Sequence, residues 1–232
     1  MLNTRAMSKS LLGAMLVLVG VAAGAGVITG SKHDFSAIAG TNGQICIACH
    51  APHNTAAGLT ALWNHQLSAV TTYTMYNTAF SSTATGTVDA QPGATSKLCL
   101  SCHDGTVAVN SFGGVTGSVA IAAASNLGTS LTNDHPISVV YDAALVSADG
   151  ALFPITNAAD IGVATTSKTR TGTISGNLLY NTKVECASCH DVHNTFTLPV
   201  GTATGTSGTA TTNKLLKISM VGSKLCLTCH DK

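Results

Sequence analysis

Cys46-Ile47-Ala48-Cys49-His50, Cys99-Leu100-Ser101-Cys102-His103, Cys186-Ala187-Ser188-Cys189-His190 and Cys226-Leu227-Thr228-Cys229-His230 together hold all 8 cysteines of the chain. Each pair is followed at once by a histidine, and no cysteine is left over. Two thiols three positions apart lie on one turn of a short helix and point the same way. This is the spacing at which two thiols add to the vinyl groups of a haem while the adjoining histidine takes the iron as its proximal ligand. Structural zinc also uses paired C-x-x-C, and an exported chain can form disulfides. Neither accounts for the histidine that follows every pair. With 9 His in 232 residues, four such matches by chance are on the order of one in a million.

Composition points the same way. Aromatic residues make up only 4% of the chain, against 23 Gly and 33 Thr. Few large side chains are available to fill a core, while Gly, Thr and Ser favour loops over helices. Four covalently bound haem c groups are the expected filler, acting as apolar plates and as staples for an undersized core. The fold class expected is a multihaem cytochrome c, mostly loops with short helices and few strands, wrapped around four stacked haems. Charged residues are 9% and the formal charge is +1, so the chain lacks the basic stripe that a nucleic-acid binder needs.

Arg5 and Lys9 precede an uncharged run from Ser10 to Ser31 with an apolar centre at Leu11 to Val21, and Ala23-Gly24-Ala25 offers small residues for cleavage. This is the pattern of a secretory signal peptide over 1–25, with cleavage as late as 30, and it implies an exported protein. The rival is a retained single-span anchor. After Ser31 no uncharged apolar run is long enough to span a bilayer, so no membrane span is expected in the mature chain.

His50, His103, His190 and His230 are the proximal iron ligands expected from the motifs, which leaves His33, His53, His65, His135 and His193 as distal candidates. Five candidates cover four irons with one spare. An iron with two strong axial ligands passes electrons and has no open position for a substrate. His53 and His193 each lie three residues after a proximal histidine, too near to reach round to the opposite face of the same haem. The simplest expectation sends each to the next haem along the chain, His53 to the Cys99/Cys102 haem and His193 to the Cys226/Cys229 haem. His135 precedes Pro136, which favours extended backbone, and His65 follows Trp63 between two motifs. His33 stands near a chain end, as the spare or as a ligand donated to a neighbouring subunit. Met75 and Met220 read as packing residues.

Ser96-Lys97-Leu98-Cys99-Leu100-Ser101-Cys102-His103-Asp104 recurs as Ser223-Lys224-Leu225-Cys226-Leu227-Thr228-Cys229-His230-Asp231, and Cys46 to Thr55 recurs as Cys186 to Thr195. The chain therefore reads as a duplicated two-haem unit. Residues 33–103 form the first unit, 104–134 a Gly/Thr/Ser-rich connector, and 135–232 the second unit.

These residues, with the phrases Leu98-Cys-Leu-Ser-Cys-His-Asp-Gly-Thr106 and Asp134-His-Pro-Ile137, resemble the multihaem c-type cytochromes of metal-reducing bacteria that carry doubled CxxCH motifs. Within that group, four haems on a short exported chain are similar to the tetrahaem outer-surface cytochromes that form extracellular filaments. The resemblance implies bis-His haems in a continuous stack, a histidine crossing between subunits, and no enzymatic activity. It implies as partners other copies of the chain, other cytochromes and extracellular electron acceptors, at the cell surface or outside the cell. The alternatives are a monomeric periplasmic or cell-surface shuttle and, behind it, a multihaem reductase.

Each C-x-x-C-H is expected on a short helix, with Ser96 and Ser223 as N-caps. A further turn or two is expected after Asn213, over 214–218. Val107-Ala-Val109 and Ile137 to Tyr141 read as strands, and 81–95 and 201–212 as exposed loops.

Overall fold

The computed structural model describes residues 28–53, 62–76, 86–161, 170–193 and 215–232, which include every cysteine and histidine. The signal-peptide segment and the 201–212 tract lie outside these residues. Regular structure is sparse, as the composition requires. Helix α1 runs Ala94–His103, α2 Ala143–Asp149, α3 Ile174–Asn177, α4 Cys186–Cys189 and α5 Lys224–Cys229. Two-residue strands β1, Val139–Val140, and β2, Lys183–Val184, pair antiparallel.

Three of the four motifs thus form helix. The first makes a single turn instead, in which Cys49 N–H and His50 N–H both donate to Cys46 O, at 3.1 and 2.9 Å. Ser223 is the N-cap residue of α5, although its side chain makes no cap bond. Ser96 lies inside α1, whose N-cap is Gly93. Its hydroxyl is used across the molecule instead, as described below. Residues 215–218 form no helix, and of the two expected strands only Val139–Val140 is found. Val107 and Val109 are buried outside any strand, with Val109 N–H donating to Val119 O at 2.8 Å. Helix α2 was not foreseen, although its signals are plain: Asp142 caps it by accepting from Leu145 N–H at 2.8 Å, and Gly150 closes it at φ 69°.

The duplication is visible in the backbone. In the first copy, Ala51 N–H donates to Leu62 O and Asn64 N–H to Cys49 O, framing a His50–Trp63 bridge. In the second copy, Asp191 N–H donates to Leu215 O and Lys217 N–H to Cys189 O, framing a His190–Leu216 bridge. The residue before each bridge is a left-handed leucine, Leu62 at φ 53° and Leu215 at φ 54°. Branched residues resist this conformation, so its recurrence marks a reversal that both copies need in order to return the chain against the motif histidine.

Among the described residues, two small clusters gather most of the buried apolar side chains. One gathers Tyr141, Ala159, Ile161, Ile174, Leu178 and Ile218, and the other Tyr73, Leu100 and Leu131. The 104–134 segment is more than a connector. Asp104, Val107, Val109, Ser111, Phe112 and Leu131 are buried, Phe112 bridges His65, and Leu127 N–H donates to His103 O at 2.7 Å. Its polar composition hid this role because the side chains that anchor it are spaced irregularly. The halves are joined where Val88 bridges Val139, where Lys183 pairs with Asp89, and where Ser96 of α1 meets Glu185 before α4.

Leu62 is 54% exposed and Leu215 is 7% exposed. Replacing Leu62 with Gly relieves the left-handed strain and is expected to stabilise the protein by up to about 1 kcal/mol. The same change at Leu215 forfeits a buried side chain and is expected to cost about 1–2 kcal/mol net. Chemical denaturation of the two variants checks the opposite signs.

Candidate functional site

Each motif histidine stands at the end of its turn, where the chain leaves helical backbone. His190 and His230 have extended backbone, with φ/ψ of −105/141° and −97/130°. His50, His190 and His230 are held there by bridges to Trp63, Leu216 and Leu152. The fourth, His103, is the last residue of α1, and its Nδ1 lies 2.8 Å from Ser125 O.

Three of these rings face a second imidazole. His33 and His103 have centroids 6.1 Å apart with planes at 42°, His50 and His193 are 6.0 Å apart at 19°, and His135 and His230 are 6.4 Å apart at 72°. With metal–imidazole bonds of about 2 Å on each side, two rings sharing one metal have centroids roughly 6 Å apart. The planes are then free to rotate about the nitrogen–metal–nitrogen axis.

The ring nitrogens agree with this use. His103 Nδ1 faces Ser125 O at 2.8 Å and His135 Nδ1 faces Pro136 O at 3.0 Å. To donate, each Nδ1 must carry the proton, which leaves Nε2 with a free lone pair, the tautomer a metal ligand requires. Burial, reinforced by the charges of His103, His190 and His193, draws the His33 pKa down to about 4. That ring is therefore neutral at physiological pH, and its Nδ1 is buried with no hydrogen-bond partner.

His65 behaves differently. It is 2% exposed, with Nδ1 2.8 Å from Gln66 O and Nε2 3.1 Å from Ala108 O. A neutral imidazole has one N–H, so only one of these carbonyls is its acceptor, and Cys102 Sγ lies 3.4 Å from Nε2. Among the described ring contacts His65 faces Trp63, at 6.5 Å between centroids, and no second imidazole. The facing pairs also differ from the order along the chain. His33 stands against His103, where His53 was expected; His193 stands against His50 and not His230; and His135 takes the place opposite His230. His53 is exposed and, by elimination, is the candidate to complete the His190 site.

The cysteines are all free. Burial pushes the thiols of Cys49 and Cys229 up to about 11 and that of Cys102 up to about 12. Thiols kept protonated are poor exchange nucleophiles. Cys99 and Cys186 hydrogen-bond each other across the α1–α4 contact, which draws the Cys186 thiol down to about 7. Among the described residues no three His, Cys, Asp or Glu side chains converge as a group able to hold a metal ion. Structural zinc needs four converging ligands. Imidazoles facing in twos instead suit a metal whose other positions are filled by a macrocycle. Among the described residues no helix is long and apolar enough to cross a membrane.

No protein-family model matches the chain, and no curated protein matches it.

The approach of Ala108 O, 43 positions away, could not be seen in sequence, whereas the Nδ1 contact with the next residue's carbonyl is the one His135 also makes. Replacing His65 with Ala removes a buried ring hydrogen-bonded to backbone and is expected to cost about 1–2 kcal/mol. Thermal or chemical unfolding measures the loss.

Proposed function

We propose that this chain is a tetrahaem c-type cytochrome whose residues hold four bis-His haems and carry electrons between partners. The observation that carries the reading is the facing of three motif histidines by a second imidazole at 6.0–6.4 Å, on a chain with four C-x-x-C-H turns. Haem, when bound, supplies a one-electron iron couple. The cysteine pairs would fasten its edge through thioethers, each S–H adding across one vinyl group. The paired imidazoles would occupy both axial positions, and with no position left for substrate the chemistry is electron transfer. Contact between Cys99 and Cys186 supports a close approach of the second and third centres across the junction of the halves.

The His33–His103 pairing supports a discrete carrier over a filament held together by a donated His33. That residue faces His103 of its own chain, so this ligand needs no neighbouring subunit. A filament built on other contacts, with copies of this chain, other cytochromes or extracellular acceptors as partners, remains the alternative reading implied by the motifs.

The pyridine haemochrome assay on purified protein should give four haems per chain, and elemental analysis should find iron without stoichiometric zinc. Zinc in place of haem would overturn the reading. Replacing His33 with Ala is expected to turn one haem of four high-spin in dilute, monomeric protein, whereas His65→Ala leaves all four low-spin. Electron paramagnetic resonance separates the two outcomes. A high-spin signal from the His65 variant would reverse the ligand assignment. Negative-stain microscopy of the secreted protein decides between carrier and filament.

A further inference from the structure

The halves meet at a buried carboxylate that none of the motifs requires. Glu185, immediately before Cys186, is 4% exposed. It accepts hydrogen bonds from Ser96 Oγ and from Ser138 Oγ, the latter 3.2 Å from both carboxylate oxygens. Each hydroxyl is already an acceptor. Cys186 N–H donates to Ser96 Oγ at 3.1 Å, and Gly93 N–H donates to Ser138 Oγ at 2.8 Å. A serine hydroxyl has one proton, so both serines direct theirs at Glu185. Surroundings made of donors suit an ionised carboxylate, which only accepts, and they offset the cost of burying it.

No cation faces this charge among the described hydrogen bonds and ion pairs. The described ion pair near it, Lys183–Asp89, is complete in itself. Dipoles therefore stabilise the Glu185 charge without cancelling it, and burial leaves it weakly screened by salt. The chemistry-bearing residues closest to it are Cys186, next in the chain, and Cys99, one helical turn beyond Ser96 and hydrogen-bonded to Cys186.

We propose that Glu185 is a fixed negative charge that lowers the reduction potentials of the two centres fastened at Cys99/Cys102 and Cys186/Cys189 relative to the other two. The inference rests on the haem reading above. An electron placed on either centre is repelled by the nearby carboxylate, whereas none of the described hydrogen bonds of Glu185 or of its serine partners involves the Cys46/Cys49 or Cys226/Cys229 motif. Glu185 thereby pulls the two centres beside it below the potentials they would have without it. It is a positioning residue for charge and touches no reacting atom. Lys217, buried beside the Cys189 site, opposes it there. Because Lys217 is unchanged in any Glu185 variant, a substitution at 185 isolates the carboxylate's own effect.

The test is spectroelectrochemical titration of the full, haem-loaded chain carrying Glu185→Gln. Roughly half of the absorbance change is expected to move to higher potential and the rest to stay in place. Two further variants separate charge from packing. Glu185→Asp keeps the charge and should titrate as the wild type does, and it serves if the Gln variant fails to fold. Ser138→Ala removes a donor but keeps the charge, so it should lower the thermal midpoint without raising any potential. A Glu185→Gln curve that coincides with wild type, or a rise in potential with Ser138→Ala, overturns the proposal. Wild-type protein with no covalent haem and no redox titration would instead sink the haem reading itself.

Discussion

The position of the motif histidine is the constraint on which the rest of this structure depends. A single helical turn carries two cysteines and then stops, and the next residue enters extended backbone bridged to another segment at His50, His190 and His230. The bridge fixes the imidazole in space, and on the haem reading the remaining polypeptide has only to deliver a second imidazole to face it. Loops suffice for that. His33 arrives on a run of turns, His135 on the extended residue before Pro136, and His193 from the segment after its own motif. Little regular structure and two small apolar clusters are consistent with a chain whose geometry is set by ligand delivery and not by packing of large side chains.

The four turns, the free pairing of cysteine with histidine and the duplication were all legible in sequence because each is local. The pairing of the rings was not. Reasoning along the chain sent His53 and His193 to the next motif, but adjacency in sequence does not fix adjacency in space once two copies of a unit fold against each other. The fate of His65 was equally hidden. Following Trp63 between two motifs, it reads as a ligand candidate, and the approach of Ala108 O to within 3.1 Å of Nε2 is a contact that no local pattern announces. Ser96 illustrates the same limit from the other side. Local rules made it a helix cap, whereas its hydroxyl satisfies a carboxylate 89 residues away. Local propensity yields here to a buried group that must be satisfied.

The repeat is faithful in backbone and divergent in side chains. Leu62 and Leu215 adopt the same left-handed turn, yet the residues two positions on have become Asn64 and Lys217. Asn64 holds Ile47 O at 2.6 Å, while Lys217 reaches Asn177 O and the hydroxyl of Tyr180. The conserved turn aims the motif histidine, and the changed side chain ties each copy to different surroundings. That is how two copies of one unit come to place unlike charges beside their centres.

This divergence bears on whether the halves are units at all. His50 of the first half faces His193 of the second, so the earliest motif is completed only when the last third of the chain has folded against it. Glu185 of the second half likewise finds its donors in Ser96 and Ser138, and Asp89 of the first half meets Lys183 of the second. A half folded alone would leave Glu185 with Ser138 but without its Ser96 partner, and His50 without its facing ring, and a buried carboxylate short of a donor is costly. Duplication accounts for the pattern, and contacts exchanged across the junction tie the two copies together. On the haem reading the same exchange keeps the centres at fixed mutual distance, since no relative motion of the halves is possible without breaking an axial pair. A path for electrons through four sites needs that rigidity more than it needs a large core.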